Sequence, residues 1–542
     1  MKKIKITTHT SLVKIAKNAC CLPEIEKSGS MLMGERYNFQ VVISSPRDID
    51  NVELQFVGEI AKNIEYYEQK DLFAGTPYGG ADADTYVLHN EDNMYPELLL
   101  EDKKFSLKKG EYTRIWVSIF GELPKGTHKF TIQLCKDGEV LAQTPYQIEV
   151  IGERLPDIDI MITNWMHYDC ICDFHNVDMF TPEFYQIFEK YLKAYTDVGM
   201  NMLLIPIITP ALDTEVGSER RTAQLLKIKK QGDSYTFDYS KLDEFIKFVQ
   251  KRGIKYFELA HLFTQWGAKF CPKVIAEVDG VDTRIFGWDV ESTSKEYKNF
   301  LTAMLPNLLN HLKELGILEN TYVHLSDEPK EDALDRYGEL YHFVKNLIGE
   351  TKTLDALSHY EFFERGFVDI PVVVSYRTRK FMQNKVPYIA YYCGTPYNNH
   401  ESNRFFAMPS ERTRVIGMHL YQNGVKGFLH WGYNFYYTEN STRRVNPYEE
   451  TNAGGGFPSG DSYIVYPSEN GLLKSLRYYL LEEGFDDYRA CKLAEKLCGK
   501  EKVDALLKKY GVMEYNAYPH SPSLFKALRQ EFNQMIKKQS KQ

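Results

Sequence analysis

Two carboxyl residues, Asp327 and Glu328, stand side by side in the stretch TYVHLSDEPKED, residues 321–332. They follow an apolar-rich segment and precede Pro329, which favours extended geometry before it and ends regular pairing. Ordinary glycoside hydrolysis needs two carboxyl groups roughly 5 Å or more apart on either side of a sugar, whereas neighbours within a strand point to opposite faces. Either the pair caps the helix that follows, or it serves a chemistry that uses adjacent acids.

Adjacent carboxyl groups suit a form of glycoside hydrolysis in which the substrate supplies its own nucleophile. In a 2-acetamido sugar the acetamido oxygen attacks carbon one, so the enzyme needs one acid for the leaving oxygen and one carboxylate for the acetamido N–H. At a strand end both side chains can turn into one cavity. This interpretation makes Glu328 the general acid/base and Asp327 the acetamide-orienting carboxylate, and the closeness of the two charges keeps one of them protonated to higher pH.

Further acids, imidazoles and large aromatic residues follow the other predicted strands at their carboxyl-terminal ends. In a (β/α)8 barrel these ends form one rim, where active sites lie. The alternative for the aromatic residues is that they only close the top of the barrel. The sequence predicts a shared site whose substrate-binding candidates are His167, Asp213, His261, Trp266, Tyr376, Tyr392, His430, Trp431, Tyr433 and Asn434.

The strands that would position these residues are short apolar segments, most of them separated by helical patterns. Helices with apolar residues at three-four spacing are predicted over residues 182–199, 239–253 and 294–316. Such alternation predicts a parallel α/β fold, and eight strands predict a (β/α)8 TIM barrel. The predicted strands cover residues 158–167, 201–210, 255–263, 321–328, 353–358, 372–376, 387–393 and 427–434.

Residues 1–150 differ from the rest of the chain, because short β-branched and aromatic segments follow one another without helical periodicity. Turn signals such as LPKG and KDG separate several of them, which predicts a β-sandwich. The predicted fold class is therefore α/β with an all-β appendage. We expect a sandwich over residues 1–153, a catalytic barrel over 154–490, and a helical extension over 491–542 that packs on the barrel.

The composition excludes several classes of protein. A net charge of −8 over 542 residues lacks the basic footprint of a nucleic-acid binder. There is no stretch of about 18 apolar residues that could span a membrane, and the first residues lack a secretory signal. Nine scattered cysteines indicate reduced thiols and predict a cytoplasmic location.

Two weaker motifs carry no cofactor prediction. Cys170, Cys172 and His175 lack the second ligand pair of a zinc site, so no metal is expected. The segment GGGFPSGD lacks the Lys-Ser/Thr of a phosphate-binding loop, and we interpret it as a rim loop with Asp461 as a candidate hydroxyl ligand.

Several blocks of the sequence resemble glycoside hydrolase family 123 and its bacterial relatives labelled domain of unknown function 4091. The segment HLSDEP resembles the Asp-Glu pair of that family. The resemblance spans about residues 155–490, and the other blocks are HLFTQWGAKFCP (261–272), RIFGWD (284–289), SNRFFAMPSERTR (402–414), FLHWGYNFY (428–436) and GGGFPSGDSYIVYP (454–467).

The resemblance implies a β-N-acetylgalactosaminidase with a substrate-assisted retaining mechanism, built as a (β/α)8 barrel behind a β-sandwich. It implies Asp327 as acetamide stabiliser and Glu328 as acid/base. The expected partner is a glycan with terminal β-linked N-acetylgalactosamine, and a homo-oligomer stays open. Two alternatives remain: a β-N-acetylglucosaminidase or other glycosidase on the same barrel, and a non-catalytic glycan-binding protein.

Overall fold

The computed structural model describes residues 3–75, 84–216, 218–395 and 399–539. These residues form a β-rich N-terminal region, a mixed α/β region with a parallel barrel, and three C-terminal helices. The described ranges do not include residues 1–2 of the predicted sandwich or residues 540–542 of the predicted helical extension. The mixed α/β class and the N-terminal β-rich region are confirmed.

Ten strands of the N-terminal region form two five-stranded sheets, ordered β1-β3-β8-β5-β6 and β2-β10-β9-β4-β7. Alternate residues of both sheets, such as Phe39, Val41 and Ile132, Leu134, are buried in one shared core, as period-two patterning requires. The strands are β1 (Lys5–Thr10), β2 (Ser28–Met33), β3 (Tyr37–Ser44), β4 (Ile49–Val57), β5 (Ile64–Ala74), β6 (Asn93–Leu100), β7 (Phe105–Leu107), β8 (Tyr112–Ile119), β9 (Gly126–Lys136) and β10 (Glu139–Arg154).

The remaining strands build the barrel and its insertions. β13, β14, β16 and β17 form a separate four-stranded sheet, and β23 pairs with β24. The strands are β11 (Met161–Asn164), β12 (Met202–Ile205), β13 (Lys227–Gln231), β14 (Ser234–Asp238), β15 (Tyr256–Leu259), β16 (Val274–Val278), β17 (Val281–Phe286), β18 (Thr321–Asp327), β19 (Thr353–Ala356), β20 (Ile370–Val374), β21 (Ile389–Tyr391), β22 (Gly427–His430), β23 (Val465–Ser468) and β24 (Gly471–Lys474).

Eight strands form a nearly closed parallel barrel in the order β11-β22-β21-β20-β19-β18-β15-β12. Each of the eight predicted strand segments contributes one of them, although most observed strands are shorter. The end strands β11 and β12 lie side by side, and the Asn201 side chain joins them. Its amide oxygen accepts from Ile162 N at 2.9 Å, and its amide nitrogen donates to Ile160 O at 2.9 Å.

Helices cover the outside of the barrel and the C-terminal end of the chain. Their apolar faces share a large core with the outward-facing strand residues. The helices are α1 (Tyr168–His175), α2 (Pro182–Asp197), α3 (Ser240–Gln250), α4 (Lys295–Glu314), α5 (Leu334–Ile348), α6 (Tyr360–Glu364), α7 (Arg379–Gln383), α8 (Ser410–Arg414), α9 (Ile416–Gln422), α10 (Leu476–Cys498), α11 (Lys500–Lys509) and α12 (Pro522–Gln539).

Local sequence signals explain where the long helices begin. Thr181 precedes Pro182 at the start of α2 and accepts from Phe184 N at 3.3 Å, and Ser294 caps α4 in the same way. None of the helices within the described ranges has both the length and the apolar character needed to cross a membrane.

Candidate active site

A cavity of about 630 Å³ opens at the carboxyl ends of the barrel strands. It contains four acids and, among the described residues, no lysine or arginine. Its walls come from several strand ends and from the loop after β22. The lining residues are Trp165, Leu212, Asp213, Gln265, Trp266, Asp327, Glu328, Ala356, Tyr376, Tyr391, Cys393, Gly394, Thr395, Leu429, Trp431, Gly456, Phe457, Pro458 and Asp461.

Both adjacent acids line this cavity because the pleat of β18 breaks at its end. The pairing of β18 with β19 shifts register between His324 and Asp327. After such a shift, the residues that face inward are no longer the ones that regular alternation would place there. Glu328 then has a φ of 45°, a left-handed conformation that is uncommon for a non-glycine residue. Its N–H donates to Ala356 O at 2.8 Å. Regular alternation would have pointed one carboxyl group away from the cavity.

The environments of the two acids differ. Burial and the neighbouring charge of Glu328 raise the pKa of Asp327 well above its usual range, while His324 acts in the opposite direction. Glu328 accepts a hydrogen bond from the Tyr391 hydroxyl at 2.6 Å. Burial raises the pKa of Tyr391 well above its usual value, so this hydroxyl remains a neutral donor.

Two further acids stand elsewhere on the cavity wall. Burial raises the pKa of Asp213 and that of Asp461 to about 7. Asp461 accepts from the Trp431 indole N–H at 3.0 Å, and the backbone N–H of Asp213 donates to Gln265 Oε1 at 2.5 Å. Near neutral pH these acids can therefore both donate and accept hydrogen bonds, as sugar hydroxyl groups require.

Beneath the cavity floor, a fully buried polar network crosses the barrel interior. Trp165 donates its indole N–H to both oxygens of Glu258 at 3.1 and 3.2 Å. His324 lies between Glu258 and Asp355, with nitrogen–oxygen distances of 2.5 and 2.9 Å. Tyr337 donates to the other oxygen of Asp355.

Six of the ten substrate-binding candidates lie behind the cavity wall, and four line it. The four are Asp213, Trp266, Tyr376 and Trp431. Trp266 and Tyr376 are 43% and 47% exposed, so they mark the mouth of the cavity. Trp431 lies deeper, and its ring is tilted by 60° to that of Phe457 with ring centroids 5.0 Å apart.

Strand alternation explains two of the residues behind the wall. Leu429 and Trp431 line the cavity, so His430 between them faces outward and accepts from Arg404 at 2.8 Å. Tyr392 is buried against Phe428 in the outer core, whereas its neighbour Tyr391 faces inward.

The other four residues behind the wall hold the loops or fill the barrel. Asn434 is bonded through both amide atoms to the backbone of His167, at 2.9 and 3.0 Å. The His167 ring contacts Trp431 O at 2.9 Å. Tyr433 donates to Tyr191 O at 3.1 Å. The ring of His261 is tilted by 41° to that of His324, with ring centroids 3.8 Å apart.

The structure adds lining residues that the list of candidates lacks. Trp165 and Tyr391 stand near the carboxyl ends of predicted strands and Gln265 follows one, so their position at the rim was visible in the sequence. For Tyr391, the sequence did not show which residues of the predicted strand face into the barrel. Phe457 arrives on the loop after β22 together with Asp461, which the sequence did suggest as a hydroxyl ligand.

One group of possible metal ligands lies at the site, formed by His261, His324 and Asp327. Both nitrogens of His324 already face carboxylate oxygens of Glu258 and Asp355, and they must carry protons to make those hydrogen bonds. A protonated nitrogen has no lone pair for a metal ion. The residues of this group therefore do not fit a metal centre.

Comparisons with known proteins found similarity along most of the chain. A family model for the glycoside hydrolase 123 catalytic domain matches residues 165–494, and no curated protein matches the chain. A family 123 glycoside hydrolase from Clostridium perfringens, studied for glycolipid glycan hydrolysis, aligns with a TM-score of 0.73 and 17% identity over 99% of this chain and 98% of that one. That alignment shows a similar fold along the whole chain.

Other solved glycoside hydrolases align less well. A family 5 xyloglucanase from Bacteroides ovatus has a TM-score of 0.29 and 6% identity, over 85% of this chain and 98% of its own. A family 5 mannosidase from Rhizomucor miehei has a TM-score of 0.35 and 13% identity, over 68% of this chain and 97% of its own. Similarity at this level carries no argument about the site.

Proposed function

This chain belongs to glycoside hydrolase family 123, and from that premise we propose a retaining exo-glycosidase that releases terminal β-linked N-acetylgalactosamine. Family membership makes it a glycoside hydrolase that acts on a glycan. The observation that supports the finer proposal is the placement of Asp327 and Glu328, adjacent in sequence, on the wall of one cavity.

In the proposed reaction the substrate supplies the nucleophile. The acetamido oxygen attacks carbon one, the bond from carbon one to the leaving oxygen breaks, and Glu328 gives its proton to that oxygen. Asp327 accepts a hydrogen bond from the acetamido N–H as the oxazoline forms. Water then attacks carbon one, Glu328 takes a proton from it, and the bond from carbon one to the oxazoline oxygen breaks, which restores the acetamido group. The sugar leaves with its configuration retained.

The shape of the cavity supports attack at the end of a glycan. The floor around Trp165 is buried, whereas Trp266 and Tyr376 are half exposed at the mouth. A sugar enclosed in the cavity would therefore be terminal, and the aglycone would leave past the two exposed aromatic rings. Flat apolar faces such as these favour a sugar ring.

The charge of the cavity supports a neutral terminal sugar. Four acids line it, without a lysine or arginine among the described lining residues. A sulfate or carboxylate substituent would meet acidic side chains, with no lysine or arginine among the described lining residues to pair with it. We propose that Asp213, Asp461 and Trp431 bind the hydroxyl groups and the apolar face of N-acetylgalactosamine. The glycolipid glycans of the Clostridium perfringens relative supply a candidate substrate class.

The test compares wild type, Asp327→Asn and Glu328→Gln on matched chromogenic β-N-acetylgalactosaminide and β-N-acetylglucosaminide substrates. We expect wild type to cleave the first. We expect a loss in kcat of about 10²–10⁴ for Glu328→Gln, because general acid catalysis is removed. A comparable loss is expected for Asp327→Asn, since a charge partner of the transition state is removed.

The same assay separates the alternatives. Cleavage of only the β-N-acetylglucosaminide would keep the mechanism and reject the proposed sugar. No cleavage of either substrate by folded wild type, with glycan binding retained in a titration, would favour a non-catalytic glycan-binding protein. Full activity of both variants would reject the catalytic roles of the two acids.

The proposal also includes the domain bounds and the cellular location. We propose a (β/α)8 TIM barrel over residues 154–490 behind a β-sandwich over 1–153, with a helical extension over 491–542. We also propose a cytoplasmic location. All nine cysteines are free, which supports a reducing compartment.

A further inference from the structure

The barrel interior beneath the cavity holds a histidine between two carboxylates. His324 Nδ1 lies 2.5 Å from Glu258 Oε1, and His324 Nε2 lies 2.9 Å from Asp355 Oδ1. All three side chains are completely buried. Such an arrangement fixes the protons of the imidazole, because buried polar atoms must be paired.

Hydrogen-bond counting shows which protonation state this arrangement requires. Glu258 otherwise accepts from the indole N–H of Trp165, which can only donate. Asp355 otherwise accepts from the N–H of Ser326 at 3.0 Å and from the hydroxyl of Tyr337. Both acids are surrounded by donors and are therefore acceptors. With both acids ionised, each nitrogen of His324 carries a proton, and the ring is an imidazolium.

The charges around His324 come from every element packed against it. The carboxyl groups of Glu258 on β15 and of Asp355 on β19 face its two nitrogens, and Asp327 lies on the same strand as His324. The neighbouring ring of His261 is neutral, since burial and the charge of His324 hold its pKa well below the usual value. The two carboxylates raise the pKa of His324 to about 10 against the effect of burial.

This imidazolium lies close to one of the two acids of the cavity. Atoms of His324, His261 and Asp327 lie within 4.8 Å of one another. Asp327 needs a nearby positive charge, because it is buried next to Glu328 and its pKa is raised. In the proposed reaction a single proton of the pair must be on Glu328, while Asp327 must be free to accept from the acetamido group.

We propose that His324, held as an imidazolium by Glu258 and Asp355, is a positioning residue that opposes the raised pKa of Asp327, so that Asp327 can ionise and leave the pair's proton on Glu328 when the acetamido group binds. This inference rests on the proposed function. It assigns a role in the reaction to three buried side chains that do not line the cavity. Its physical basis is a fixed positive charge in a medium of low dielectric constant, where charges interact strongly.

The test uses variants that change the charge of the network in opposite directions. kcat/KM is measured against pH for wild type, His324→Gln, Glu258→Gln and the double variant on a nitrophenyl β-N-acetylgalactosaminide. Removing the positive charge should move the acid limb to higher pH by about one unit, because Asp327 takes up a proton more readily. Removing the negative charge of Glu258 should move the limb to lower pH, and the double variant should lie near wild type.

Structural damage would give a different pattern. A loss of kcat without movement of the acid limb, or movement in the same direction in both single variants, would overturn the proposal. Thermal unfolding of each variant measures whether it folds. If His324→Gln does not fold, the Glu258→Gln profile decides alone, and an unmoved limb there overturns the proposal.

A second measurement is independent of turnover and separates this proposal from the proposed function. ¹⁵N NMR of histidine-labelled protein at pH 8 should show one imidazole with both nitrogens protonated, and the Glu258→Gln variant should shift that signal. An unprotonated nitrogen in every histidine would overturn the inference even if the enzyme is active. Protonated His324 in a protein that cleaves no N-acetylhexosaminide would reject the proposed function while the charge assignment stands.

Discussion

At the scale of single residues, the fold disfavours the ionised form of Asp327 more strongly than that of the other acids whose pKa is raised in the cavity. Its carboxyl group is buried, it lies next to Glu328, and the resulting pKa is well above the usual range. The folded protein therefore holds a proton on Asp327 at pH values where the unfolded chain has lost it. By linkage, this group stabilises the fold at low pH, and the stabilisation is lost as pH rises through the folded-state pKa.

Asp327→Asn should therefore be more stable than wild type at high pH, because the amide is neutral at every pH. We expect similar melting temperatures near pH 4, and a difference of roughly 1–3 °C in favour of the variant near pH 8. Scanning calorimetry across this range measures the difference. The exposed acid Asp332, replaced by Asn, controls for the loss of a surface charge. A variant that is less stable than wild type at pH 8 would contradict the prediction.

At the scale of elements, the loop after β22 forms one wall of the cavity, and its first residues pair with the later residues around Asp461. The N–H of Phe435 donates to Ser462 O at 3.1 Å, and the N–H of Ile464 donates to Tyr433 O at 3.1 Å. Gly432 allows this close approach. A Cβ at that position would lie 2.6 Å from Ser462 O and 2.9 Å from Asp461 O, which real Cβ atoms do not tolerate.

Gly432→Ala should therefore displace the segment around Asp461 and open the hydrogen bond between Asp461 and Trp431. We expect KM for the aminosugar substrate to rise about ten-fold, as one well-placed contact of about 1.4 kcal/mol is lost, with kcat reduced less. Steady-state kinetics measure both constants. The control is Lys426→Ala, which changes an exposed residue directly before β22. Its KM and kcat should match those of wild type. An unchanged KM in Gly432→Ala would show that Asp461 does not contribute to binding.

At the scale of the whole molecule, buried ion pairs connect the N-terminal sheets, the barrel and the C-terminal helices. Arg477 on α10 contacts Glu97 on β6 at 2.7 Å, with both side chains almost fully buried. Arg477 also donates to Gly460 O and Tyr463 O at 2.6 and 2.8 Å, on either side of Asp461. The N-terminal region thus supports the loop that lines the cavity.

Glu97→Gln should destabilise the whole protein, because it leaves the buried guanidinium of Arg477 without its charge partner. Breaking one side of such a pair costs about 3–5 kcal/mol, so urea unfolding should move to lower denaturant concentration. The exposed pair of Arg154 and Glu122 offers a matched control, since both side chains are more than half exposed. Glu122→Gln should unfold like wild type. Equal stability of wild type and Glu97→Gln would contradict the prediction.

The periodicity of the sequence was sufficient to predict the eight barrel strands and the helices between them. Strand and helix patterns depend on neighbouring residues, and residues 182–199, predicted as a helix, contain the observed α2. The exact ends were less predictable. Residues 158–167 were predicted as a strand, but only Met161–Asn164 pair with β22, because pairing depends on the partner strand.

The candidate site was predictable only as a rim. The sequence placed Asp327, Trp266 and Trp431 at strand ends, and these residues do line the cavity. It could not separate Tyr391 from Tyr392, since adjacent aromatic residues at a strand end carry no signal for which one faces inward. Successive strand residues point to opposite faces, so one of the two tyrosines faces the cavity and the other faces the outer core.

The sequence by itself determined the types of residue at the rim, the order of the strands along the chain and the pair of adjacent acids. Only the tertiary structure decided where those acids face. The register shift before Asp327 and the positive φ of Glu328 turn both carboxyl groups into one cavity. Glu258 and Asp355, distant in sequence, place a protonated His324 beneath them. The directions of these side chains and their protonation states depend on contacts between strands that are distant in sequence. No local pattern of residues specifies those contacts.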